Sequence, residues 1–267
     1  MFLRFPTSLW RNRELLWRLT EREVLGRYRG SLLGIAWSLL NPLAMLGVYT
    51  FVFSQVFKAR WGNLEESGPI GFAVNLFAGL IVFNFFAECA NRAPGIILAN
   101  PNYVKKVIFP LEILAGVVVG SALFNALTGL CVLAAFELIG QRQIPLTALW
   151  LPFVWLPLIT GCLAFTWMLS ALGVFLRDMG QLISLVVSML MFLSPIFFPI
   201  SALPAKWQPL LALNPLAVVI EQTRQILVSG KPPDWPTIAI GSLLAILICE
   251  LAFRSFNRAK RTFADVM

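Results

Sequence analysis

Six apolar stretches, each about as long as a bilayer is deep, leave this chain little choice of fold. A hydrocarbon core takes roughly 20 residues of helix to cross. Stretches of that order run over 32–57, 70–90, 111–136, 149–175, 182–200 and 236–253. The fold class expected is an all-α integral membrane protein with six transmembrane helices. An even number of crossings returns both termini to one face. With that face inside, the inner segments hold fifteen of the twenty-one basic residues. Seven are the arginines between Arg4 and Arg29; the others are Arg92, Lys105, Lys106, Arg177, Arg254, Arg258, Lys260 and Arg261. The positive-inside bias therefore predicts N and C termini in the cytoplasm.

With 267 residues, 58% hydrophobic and 13% charged, the whole chain, 1–267, reads as one membrane domain. Its net charge of +8 does not point to nucleic acid, because the cations flank the spans, where they orient the chain and meet anionic membrane lipids. The four cysteines, Cys89, Cys131, Cys162 and Cys249, fall in separate apolar stretches without a CxxC pair, so they read as small hydrophobes. Absent residues exclude whole classes of chemistry. There is no His, hence no histidine base or histidine metal site. No GxxxxGK[ST] is present, so the chain has no P-loop for ATP. Carboxylates of the kind that relay protons at mid-span are missing. Glu88, Glu112, Glu137 and Glu250 all fall near span ends, where solvated or interfacial carboxylates are expected.

Residues 1–30 read as a cytoplasmic segment with a helix over 9–29 lying on the membrane surface. At about 100° per residue, Arg11, Arg18, Arg22 and Arg29 share a stripe about 40° wide. Trp10, Trp17, Val24 and Tyr28 form a second stripe roughly 120° away. Arginine suits lipid phosphate and Trp suits the headgroup level, so the pattern fits an amphipathic interface helix, with an ordinary charged helix as the plainer reading.

The inner segment 91–110 is punctuated by Pro94, Pro101 and Pro110. A short helix from Asn100-Pro101 to Pro110 fits that spacing. It presents Tyr103, Val104, Lys105, Lys106 and Ile108 to the cytoplasm, a surface for a docking partner or a plain connecting loop. Arg177 and Asp178 sit in the next inner turn. The outer segment 199–235 is too long for a turn and too apolar for a solvated loop. Two short re-entrant helices, broken at Asn214-Pro215 and carrying Glu221 and Arg224 one turn apart, explain it better.

Several of these segments, taken in order, resemble the membrane subunit of type-2 ABC transporters, in the branch that exports polysaccharide and O-antigen. The resemblance rests on Arg27-Tyr28-Arg29-Gly30-Ser31-Leu32-Leu33-Gly34 and Trp37-Ser38-Leu39-Leu40-Asn41-Pro42. It continues through 102–110, Phe175-Leu176-Arg177-Asp178, Ser194-Pro195-Ile196-Phe197-Phe198-Pro199, and Leu213-Asn214-Pro215-Leu216 with Glu221 and Arg224 beyond. It implies a homodimeric permease in the bacterial inner membrane, paired with two ATPase subunits that bind ATP and Mg. It also implies that the interface helix and the 100–110 helix contact the ATPase, and that the outer helices cap a channel between the permeases. One departure stands out. Leu111 follows Phe109-Pro110 where many relatives place an Arg; if that Arg helps hold the headgroup or the ATPase, its task falls to Lys105 or Lys106 here.

On this reading the chain performs no bond chemistry and moves a lipid-linked polysaccharide. Another cargo, such as teichoic acid, a drug or a lipid, stays open, and so does an ion-coupled carrier. A channel wall is expected along Met45, Tyr49, Phe53 and Phe57, which recur every four residues, and at Phe192, Phe197 and Phe198 around Pro195. Tyr49 argues most for it, since a phenol facing lipid tails lacks a hydrogen-bond partner. Packing or lipid-facing Phe residues are the competing reading.

Overall fold

The structure, a computed structural model, describes residues 3–52, 69–104, 109–141 and 145–266, and every regular element among them is helical. The N-terminal pair α1 (Arg4–Arg11) and α2 (Arg13–Tyr28) precedes α3 (Trp37–Phe51). Next come α4 (Pro69–Arg92), α5 (Pro101–Val104), α6 (Ile113–Gln141), α7 (Leu151–Phe175) and α8 (Met179–Leu193). The chain ends with α9 (Gln208–Ala212), α10 (Pro215–Leu227), α11 (Trp235–Ala259) and α12 (Phe263–Val266).

Five stretches, Gly34–Phe51, Gly71–Gly95, Ile113–Ile139, Leu146–Phe175 and Trp235–Thr262, are long and apolar enough to cross a membrane. The sixth apolar helix, α8, has 15 residues and is roughly 22 Å long. Its stretch reads 182–200 in the sequence, but the helix starts at Met179 and stops at Leu193. Ser194 turns extended (ψ 148) because the ring of Pro195 disfavours helical backbone in the residue before it.

α4 is the most enclosed of the five and packs against α3, α6, α7, α8 and α10; α3 is the most exposed. Phe72, Leu76, Phe77, Leu80, Phe83 and Phe85 are all buried, as expected of a helix apolar on every side.

The N-terminal segment differs from the single helix expected over 9–29. Asn12 (φ −104, ψ 20) breaks it, and its side-chain amide donates back to the Ser8 carbonyl at 2.9 Å, a local bond that competes with helix continuation. Trp10 and Trp17 thus sit on different helices. Both stay exposed, whereas Val24 of the same sequence stripe is buried and Tyr28 half-buried. α2 lies along α6, where Gly116 and Gly120 make room for Leu16 and Thr20. A Cβ on Gly116 would stand 2.5 Å from Leu16 Cδ1, and one on Gly120 would stand 3.0 Å from Thr20 Cγ2. Small residues one turn apart let helices in a membrane approach this closely.

α1 packs on the last long helix, α11, bringing the two ends of the chain together at one end of the bundle. Phe5 is buried beside Trp167. Glu250 accepts hydrogen bonds from the Arg4 and Phe5 backbone N–H groups at 2.8 and 3.2 Å and from Arg254 Nε at 2.6 Å. Glu112 accepts from Ser8 Oγ at 3.2 Å and from Lys260 Nζ at 2.8 Å. The expectation of solvated carboxylates is therefore corrected: Glu112, Glu137 and Glu250 are all buried. At Glu112 and Glu250 the cause is α1, which folds over the span ends: its unpaired first-turn N–H groups meet Glu250, and its Ser8 hydroxyl meets Glu112.

Candidate functional site

The polar groups of this bundle gather at two places. At the end that carries the termini, α2, α4 and α6 share a network of ion pairs. Glu88 Oε1 accepts from Arg27 at 2.6 Å and from Arg92 at 3.3 Å, while its Oε2 accepts from Asn125 Nδ2 at 2.8 Å. Arg92 also donates to Ser121 Oγ at 2.7 Å and pairs with Glu23. None of Glu23, Arg27, Glu88, Arg92 or Asn125 stands out in the sequence as a site. The one local signal is the Glu88–Arg92 spacing of four residues, which puts the pair on adjacent turns of a helix.

The anticipated docking residues lie at this same end. Pro101 opens α5, and the Asn100 side-chain amide donates to the Ile96 carbonyl at 2.9 Å. Tyr103 stacks on Phe109 (centroids 4.2 Å, planes 6° apart) and its hydroxyl accepts from Arg22 at 2.9 Å. α5 and α2 are thus linked directly. Val104 is half-buried. Lys105, Lys106 and Ile108 lie outside the described residues, and Phe109 and Pro110 are not helical. Arg177 and Asp178 are exposed between α7 and α8, and the Asp178 carbonyl accepts the N–H groups of Gln181 and Leu182. Arg11, Arg18, Arg22 and Arg29 are exposed along α1, α2 and the turn beyond; Arg18 pairs loosely with Glu14 at 3.6 Å.

At the other end, α10 inserts between α4 and α7. Asn214 and Pro215 start it as their residue types dictate: the Asn214 side chain accepts the Leu216 N–H at 3.0 Å, and Pro215 takes the first helical position. Asn214 Nδ2 also donates to Ser194 Oγ at 3.2 Å. Arg224 is almost fully buried. Its guanidinium donates to the carbonyls of Asn75 (2.8 Å), Pro195 (2.5 Å) and Ile196 (2.8 Å). The proline break after α8 frees the last two carbonyls from any helical ladder, and an arginine fork satisfies both. Gly79 gives the guanidinium its space, since a Cβ there would lie 2.6 Å from Nη2. Glu221 is half-exposed at 3.7 Å from Arg224. The two do not form a wet surface pair, because the arginine is turned into the bundle.

Met45 and Tyr49 line a cavity of about 530 Å³ among α3, α4 and α6. Phe192 and Phe197 stack on each other at 5.9 Å near the end of α8, with Phe198 half-buried beside them in sequence. Among the described residues no ring contact joins the two groups, and Phe53 and Phe57 lie outside those residues. No cluster of three or more His, Cys, Asp or Glu side chains among the described residues is placed to hold a metal ion.

Apolar crossings, docked terminal helices and a polar network at one end define a polytopic helical membrane protein. Residues 14–228 match the family described as ABC-2 type transporter, and the chain belongs to that family. It is accordingly a transport protein rather than an enzyme, and membership implies an ATPase partner. Among its relatives is an O-antigen export system permease protein RfbA of Myxococcus xanthus, 26% identical over 98% of this chain and 99% of the relative. Another RfbA of the same description, from Klebsiella pneumoniae, is 25% identical over 95% of each chain. The polysialic acid transport protein KpsM of Escherichia coli is 27% identical over 90% of this chain and 93% of its own length.

Proposed function

We propose that the chain is the membrane-spanning permease subunit of an ATP-driven exporter that carries a lipid-linked polysaccharide, of O-antigen or capsule type, across the bacterial inner membrane. The observation that carries this reading is the nearly full-length similarity to O-antigen export and polysialic acid transport proteins. In it, two copies of the permease pair with two ATPase subunits, both termini face the cytoplasm, and ATP with its Mg binds on the partner. The α5 segment, from Asn100 through Ile108, and the Arg177-Asp178 turn meet the ATPase. The link from Tyr103 to Arg22 supports this, because it couples that segment to α2 and so to the spans. Asn214, Pro215, Glu221 and Arg224 hold the outer cap. Met45, Tyr49, Phe53 and Phe57, and Phe192, Phe197 and Phe198, line the pathway, and their aromatic members offer stacking surfaces to sugar rings.

The test is co-expression with a candidate ABC ATPase subunit, followed by purification and reconstitution in lipid. Association, together with ATP hydrolysis stimulated by a lipid-linked glycan above the lipid carrier alone, is expected. Stimulation by a drug or a simple lipid in place of the glycan would overturn the cargo assignment.

A further inference from the structure

The chain leaving α4 is pressed against α7 more tightly than any side chain would permit. After Arg92 it makes one turn of 3-10 helix, Ala93–Gly95, in which Ala93 and Pro94 are buried. That turn lies on α7 at Gly173, at the end that carries the termini. A Cβ at Gly173 would stand 2.1 Å from the Pro94 carbonyl oxygen and 2.8 Å from the Pro94 carbonyl carbon and Cα. The obstacle is main chain, which cannot swing aside as the tip of a side chain can. Position 173 therefore admits only a hydrogen, the device by which membrane helices and their neighbours come closest.

A second grip lies on the far side of the next turn. Ser184 Oγ, in α8, donates to Asn91 Oδ1 at 3.1 Å. Gly173 comes just before Arg177-Asp178 in sequence and Ser184 just after, so the end of α4 holds both flanks of that turn. The turn is itself bonded at each step. The Leu176 N–H donates to the Leu172 carbonyl at 2.8 Å, and the Met179 N–H to the Leu176 carbonyl at 3.2 Å.

From the joint onward to α5 the chain is equally stiff. The N–H groups of Ile96, Ala99, Asn100 and Tyr103 donate in turn to the carbonyls of Ala93, Gly95, Ile97 and Asn100, at 2.9–3.3 Å. The Asn100 side-chain amide adds a bond to the Ile96 carbonyl, and Ile97 is fully buried between them in sequence. A segment bonded at this density opens rarely, so α5 cannot move far without the turn that carries it.

We propose that α5 and the Arg177-Asp178 turn are two faces of one rigid docking body, and that Gly173 is the positioning residue that sets their relative placement. The ATPase then engages both faces at once. Its movement displaces the inner ends of α4, α7 and α8 as a unit, because a close-packed joint transmits a displacement that a loop would absorb. This deepens the exporter reading and rests on it.

The experiment is hydrogen–deuterium exchange over 95–104 and 176–182, read by peptide mass spectrometry. It is run on the permease in nanodiscs, alone and titrated with a candidate ABC ATPase subunit. In the wild-type chain both segments are expected to gain protection at the same ATPase concentration. Gly173→Ala should raise that concentration about tenfold for both, since the joint must part to admit a methyl group. Gly161→Ala, on the same helix where a Cβ meets nothing within 4 Å, should leave it unchanged. Asn91→Ala deletes one exposed hydrogen bond and keeps the test open if Gly173→Ala fails to fold. In the permease alone it should quicken exchange of both segments about threefold. Separate midpoints for the two segments in the wild type, or a change confined to one segment in either variant, overturns the proposal. So does a Gly173→Ala protein that loses thermal stability but docks as before. Joint quickening in the permease alone, with no ATPase binding, upholds the single body and overturns the exporter reading. ATPase binding with independently exchanging segments overturns the body and leaves the exporter reading standing.

Discussion

Arg22 donates a hydrogen bond to the hydroxyl of Tyr103 at 2.9 Å, joining α2 to the short helix α5 across 81 residues of sequence. The bond is exposed, so its own contribution is small, but the tyrosine ring also stacks on Phe109. Tyr103→Phe removes the hydroxyl and keeps the ring, and should leave association with the ATPase within about threefold of wild type. Tyr103→Asp removes both, and should weaken it by 2 kcal/mol or more, about thirtyfold, if the ring is an anchor of the interface. Titration of the purified ATPase against permease in nanodiscs separates the two.

Arg224→Met keeps the apolar stem but withdraws the charged donor from three buried carbonyls. The expected cost is roughly 3 kcal/mol or more, seen as a lower unfolding midpoint in mixed micelles. Glu221→Gln at the half-exposed partner should cost less than about 1 kcal/mol. Equal losses in the two variants would mean that the ion pair, not the carbonyl fork, holds α10.

Glu250→Ala strips the first turn of α1 of its acceptor. A loss of about 1.4 kcal/mol would open α1 about tenfold more often. Trypsin cleavage at the exposed Arg11 and Arg13 should quicken by that factor, while cleavage at Arg177, far along the chain, stays unchanged.

Gly120→Leu drives a side chain into Thr20 and should unseat α2 at a cost of roughly 1–3 kcal/mol. Gly161→Ala is the comparison, because a Cβ there meets nothing within 4 Å. It should be neutral or stabilising by up to about 1 kcal/mol, as for any open mid-helix glycine. Unfolding midpoints of the two proteins give the answer.

The features readable in the sequence are those written in consecutive residues. Hydropathy alone locates the five long spans, and the Asn214-Pro215 pair announces the start of α10 because cap and first-turn chemistry are local. The end of α8 was equally local, since Pro195 marks it, yet the apolar run 196–200 masks the stop. The carboxylates are different. Position near a span end says nothing of what folds over it, so Glu112 and Glu250 read as wet until α1 is seen lying across them. The helical moment of 9–29 assumes one straight helix, an assumption undone by Asn12 bonding back to Ser8. Likewise, Arg224 sits beside Glu221 on its helix, and only the packing of α4 and α8 reveals that its partners are carbonyls.

The bond between the first helix and the last has a consequence for synthesis. The Arg4 and Phe5 N–H groups find their partner in Glu250, which is made 246 and 245 residues later. At about 5–20 residues per second, the interval is roughly 12–50 s. For that time α1 has only part of its seat, Glu112 and Trp167 being made first, and its first-turn N–H groups have no carboxylate to meet. An amphipathic segment of this kind rests at a lipid headgroup layer while it waits. Docking of α1 is therefore completed late: a ribosome stalled before Glu250 leaves the first turn of α1 without its acceptor, and the surface assembled from α1 and α11 comes into being only once Trp235–Ala259 is in place.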